Sequence, residues 1–199
     1  MRRVLTFFLA AFVTGIVAQA DDWWNPDWKV RHCIDINTGV IFEDLHDFPV
    51  RVRIEAANTK HDPATGGADA RVVDAVGNTL DVEVVQWDVD GIELYARVPH
   101  INTKTCKQRL YLYYGNPSAA ASQAADLWDA SYRAVLHLHR NTKDASGNNV
   151  VVTEEGSLEL EQSGAIFTEQ PGYLNLAPEA LNGIGEQLTI AMRFRMIEN

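Results

Sequence analysis

Few residues in this chain have the type and spacing that chemistry requires. His137 and His139 stand two apart in AVLHLH; alternate residues of a strand share a face, and a His-x-His pair of that kind can bind zinc or copper. A tetrahedral site needs further ligands, and His32, His46, His61 and His100 are scattered with no supporting motif, so the pair reads as an ordinary polar strand face. Asp88 and Asp90 with Gly91, and Asp144 with Ser146, Asn148 and Asn149, make two oxygen-rich turns. Calcium takes six to eight oxygens, more than either turn supplies alone, and turn chemistry explains both; Asp144 is the one candidate calcium ligand. Glycosidases work with two facing acids, and Glu159 and Glu161 share a strand face. Their setting, LELEQSGA, lacks a central aspartate and a third acid. There is no Gly-x-Ser-x-Gly elbow, phosphate loop or Cys-His nucleophile pair. No residue is assigned a catalytic role, and the chain is expected to be non-enzymatic.

The most concentrated aromatic chemistry lies near the start, where VAQADDWWNPDW holds Trp23, Trp24 and Trp28, three of the five tryptophans. Upstream, Arg2 and Arg3 precede an apolar run from Val4 to Val17, and Ala18-Gln19-Ala20 reads as a small-x-small cleavage site. Residues 1–20 are therefore expected to be a Sec-type signal peptide cleaved after Ala20, giving a periplasmic or secreted protein. The removed segment contains two arginines and no acid, so cleavage takes the net charge from −10 to −12. Such a balance repels phosphate backbones and anionic lipid, and no nucleic-acid partner is expected. The three tryptophans would open the mature protein as a clasp on its first domain, each burying on the order of 200 Å²; the competing reading leaves one or two rings exposed to stack on sugar faces.

Cys33 and Cys106 both survive cleavage, and an oxidising compartment favours their pairing as a disulfide; two free thiols are the alternative.

The elements that must position these residues are strands. VRVRIEA (50–56) alternates apolar and charged positions, which marks a half-buried strand. LDVEVVQW (80–87), IELYARV (92–98) and RLYLYY (109–114) behave alike, and DVDG (88–91) joins the first two of these as a hairpin. Strands are also expected over 29–36, 71–74, 134–139, 157–161, 165–169, 173–177 and 188–196. The one helical candidate, 118–131, is a connector. The pattern predicts an all-β fold, an antiparallel sandwich with a domain boundary near 129–133.

Several stretches resemble a bacterial envelope family labelled as a domain of unknown function: WWNPDWKVRHCIDI, FPVRVRI, GADARVVDAVGNTLDVEVVQWD, RVPHI and LYLYYGNP, in that family's order over residues 23–117. Tyr95 stands where that family usually has tryptophan and Val72 where it usually has phenylalanine. The remainder, AVLHLHRNTKDASGNN and SGAIFTEQPGYLNLAP, is similar to the opening of a laminin-G or concanavalin-like sandwich, a family whose domains can carry calcium. The resemblance implies a jelly-roll-like sandwich over 21–129 and, over 130–199, the front of a second sandwich that further chain would complete. It implies an exported recognition or scaffolding module whose partner is a glycan or an envelope protein, with Trp23, Trp24, Trp28 and Tyr95 as candidate ligand-binding aromatics. Some resembling proteins continue into a proton-channel subunit of the MotA/TolQ/ExbB type, which gives the alternative of a sensor region with a membrane-complex partner. A glycoside-active enzyme whose acids come from further strands is a third reading. The oligomeric state stays open.

Overall fold

The structure, a computed structural model, describes residues 23–122, 127–162, 164–186 and 188–192. The expected signal peptide lies outside the described residues.

Alternating sequences become strands where one face can be buried. β1 (Val30–Asn37), β2 (Leu45–Glu55), β3 (Arg71–Asp74), β4 (Thr79–Leu80), β5 (Val82–Asp88), β6 (Gly91–Ile101) and β7 (Lys107–Tyr114) form two antiparallel sheets. The first has the order β1-β7-β3-β4 and the second β2-β6-β5. Val52, Leu94, Val98 and Ile92 on the second sheet meet Val72, Leu110, Leu112 and Tyr114 on the first in one core. The all-β sandwich expected from the sequence is thus the fold.

Turn chemistry sets the register. In the β5–β6 hairpin Asp88 faces Gly91 across the turn, and Gly91 has φ +137°. A Cβ there would lie 2.3 Å from the Ile54 carbonyl oxygen, so only glycine lets β6 lie beside the end of β2. The expected strand 80–87 is divided at Asp81, whose carbonyl accepts from the Arg97 N–H. A bulge between Val84 and Gln86 then brings Trp87 into the core.

β8 (Val152–Glu161) and β9 (Gly164–Leu176) pair as a separate two-stranded hairpin. β9 joins into one strand the two expected over 165–169 and 173–177.

Three expectations are corrected. AVLHLH is not a strand: Leu138 and Arg140 take left-handed backbone, and the segment makes a single bridge, Leu136 to Asp144. The connector 118–131 has no helix in its described residues, and 123–126 lie outside them. Residues 188–192 carry no ladder, with Leu188, Ile190 and Met192 exposed; 193–196 lie outside the described residues.

Candidate functional site

The outer faces of both sheets carry aromatic side chains, and alternation decides which. On β7, Leu110, Leu112 and Tyr114 turn to the core, so Tyr111 and Tyr113 turn outward. Register puts Arg31 and Arg71 on either side of Tyr113, and Cys33 and Val73 on either side of Tyr111.

The segment 23–28 lies over this face. Trp28 is buried against Val73 and Tyr113, and its indole N–H donates to the Asp69 carbonyl at 2.7 Å. Trp24 packs at 5.0 Å from Trp28 and 5.5 Å from Tyr113, and its backbone N–H donates to the Tyr113 hydroxyl. Trp23 meets Tyr113 edge-on at 5.5 Å and anchors its indole N–H on the Trp28 carbonyl at 2.9 Å, yet stays 41% exposed. The Arg31 guanidinium lies 5.2 Å from the Trp23 ring and 4.9 Å from the Tyr111 ring. A cation held on an aromatic face at that range fixes the ring's orientation. The result is a platform of Trp23, Arg31 and Tyr111, with Trp24 half-buried beside it.

The platform rests on Asp69. This buried carboxylate accepts from the backbone N–H groups of Gly115 at 2.5 Å and Asn116 at 2.8 Å, while its own carbonyl holds Trp28. Arg71 completes the clamp, donating to the carbonyls of Ala70 and Ala120 with its guanidinium 5.6 Å from the Trp28 ring. Three quoted stretches, WWNPDW, GADAR and YYGNP, therefore meet in space as one clamp.

The other sheet is different. Tyr95 faces outward from β6 beside Glu83 and Arg51, but residues 127–137 cover it. Trp128 and His137 lie 5.3 and 5.1 Å from the Tyr95 ring. The Glu83 carboxylate accepts from the Trp128 indole at 2.6 Å and meets His137 Nε2 at 3.1 Å.

Of the four candidate aromatics, then, Trp23 and Trp24 share the platform, Trp28 is its buried root, and Tyr95 lies on the opposite face beneath Trp128. The reading missed Arg31, Tyr111, Asp69 and Glu83. For Tyr111 the signal was present, since alternation in RLYLYY separates Tyr111 and Tyr113 from the leucines. Asp69 and Glu83 act on partners remote in sequence.

The remaining candidates fall elsewhere. His137 and His139 do not share a face: His139 Nδ1 meets the Gln162 carbonyl at 2.7 Å, away from Glu83. Glu159 and Glu161 are exposed on β8. The Asp144 carboxylate accepts from the backbone of Val135, Ser146 and Val150 and from the Ser146 hydroxyl. Burial works to raise its pKa, and these donors outweigh burial and leave it below the ordinary value. That makes Asp144 the staple of its turn. Cys33 and Cys106 are both free and exposed, which corrects the expected bridge. Cys33 pairs with Tyr111, while Cys106 lies in the bend just before β7, five residues from Tyr111; five extended residues span about 17 Å, whereas a disulfide needs Cα atoms within about 7 Å.

No curated protein and no solved structure matches the chain. A family model does, over a stretch that begins after the first aromatic strap, runs into the second as far as residue 130, and includes Asp69, Glu83, Tyr95, Tyr113 and Trp128. Over residues 66–130 the chain is similar to the family described as a domain of unknown function, DUF2341.

Proposed function

We propose that this chain is an exported, non-catalytic recognition module of the bacterial envelope, which holds a glycan against the outer face of its first sheet. The observation that carries the reading is the platform itself: an exposed Trp23 ring, held in place by its own indole hydrogen bond and by Arg31. A tryptophan fixed in this way offers a flat apolar face to a sugar ring with little ordering cost. The buried clamp beneath it supports the same reading, because precise recognition needs a rigid base. The acidic balance of the chain suits a polysaccharide partner better than nucleic acid.

Residues 130–199 fit the front of a concanavalin-like sandwich in this reading. A hairpin of two strands is marginal alone, and Phe167, Tyr173 and Leu176 are exposed on β9.

The test is retention of the mature protein on an array of envelope polysaccharides. The wild type is expected to bind at least one of them, and Trp23→Ala to lose that binding while melting normally. Equal retention of the two proteins would count against the proposal.

A further inference from the structure

Two of the six histidines, remote in sequence, stand side by side at one end of the second sheet. His46 on β2 and His100 on β6 are register partners, and directly opposed residues of an antiparallel pair have Cβ atoms about 5 Å apart. Their imidazoles stack with centroids 4.8 Å apart and planes inclined by 12°. Both residues are exposed, and the His46 ring can turn about its Cβ–Cγ bond.

A third group fixes the state of one ring. Asp44 accepts from the Thr103 backbone N–H at 2.8 Å and the Thr103 hydroxyl at 2.9 Å, and lies 3.1 Å from His100 Nε2. Asp44 takes both Thr103 hydrogens on Oδ1 and turns Oδ2 to His100; a carboxylate oxygen accepts, so the hydrogen between the two is carried by His100 Nε2. In the neutral ring the lone pair then lies on Nδ1. A carboxylate behind one ring nitrogen is the arrangement that orients an imidazole for metal at the other.

Among the described residues no three His, Cys, Asp or Glu side chains gather as a metal cluster. The chemistry here is a two-imidazole chelate with Asp44 behind it, the other positions being left to water. We propose that His46 and His100 form a surface site for a divalent transition metal of the zinc and copper class, with Asp44 as positioning residue. Imidazole prefers these ions to magnesium and calcium, which take oxygen ligands. The site lies on the second sheet and is independent of the glycan platform.

The experiment is calorimetric titration of the purified mature protein with zinc chloride, repeated with magnesium chloride. One zinc ion is expected to bind with micromolar affinity and magnesium to give no binding heat. His46→Ala and His100→Ala should each weaken zinc by at least about tenfold, and Asp44→Asn by about tenfold through the freed His100 ring. All three positions lie at the surface, and far-UV circular dichroism checks that each variant keeps its fold. No zinc binding by the wild type, or wild-type affinity in either histidine variant, would overturn the assignment.

Discussion

The two outer faces of the sandwich are covered in different ways. On the first sheet the strap 23–28 is tied down by backbone carbonyls and a buried indole, and it ends in an exposed ring. On the second, the strap 127–137 is tied by carboxylates (Glu83 beneath Trp128 and His137, Asp129 against Arg97) and lays Trp128 over Tyr95. Both regions are rich in aromatic side chains, yet one presents a ring to solvent and the other uses its rings to attach the following segment. Aromatic content therefore does not by itself mark a recognition surface; what the ring's edge and face are left to touch does.

The comparison is broken most severely at Trp28. Trp28→Ala removes the root of the first strap and opens a cavity against Val73 and Tyr113, at a cost of about 3–5 kcal/mol, measured by urea unfolding. Asp69→Ala follows, since it leaves the Gly115 and Asn116 N–H groups without their buried acceptor; about 2–3 kcal/mol is expected, with Asp69→Asn in between. On the second sheet Glu83→Ala should cost less, about 1–2 kcal/mol, and its larger effect is local. The strap lifts, and limited trypsin digestion should then cut at Arg133 and Arg140 in the variant well before the wild type. Trp23→Ala should change stability by less than about 1 kcal/mol, because the ring is already exposed, and should differ from Trp28→Ala in losing binding without losing fold.

The smallest expected effect is one of pH. His32 sits at the edge of the first sheet, with Nε2 at 2.8 Å from the buried Tyr114 hydroxyl, and burial holds its pKa below the ordinary 6.5. The unfolded chain therefore binds this proton more readily than the folded one. Stability is complete above about pH 6.5 and declines as the pH falls through the lowered folded value. His32→Asn should flatten that part of the stability profile in thermal melts between pH 7 and 5.

The strands of the sandwich were legible because burial of one face writes period two into the sequence, as VRVRIEA and RLYLYY show. The failures have a common cause in contacts that no local pattern carries. AVLHLH alternates like a strand, but left-handed Leu138 and Arg140 turn His137 toward Glu83 and His139 toward Gln162. The β4–β5 break at Asp81 answers to Arg97 on another strand. Pairing of Cys33 with Cys106 was a rule of compartment and number, and the β1–β7 register overrides it. The same limit applied to the site. Clustered tryptophans pointed to the first strap, whereas Arg31, Asp69 and the His46–His100 pair became visible only once register placed distant segments together.

The most direct test of the central claim is hydrogen–deuterium exchange of the protein with and without an envelope polysaccharide. Protection confined to residues 23–31 and 109–114 is the result expected of a platform on the first sheet. Protection over 92–98 and 127–140, or none on either face, would contradict it.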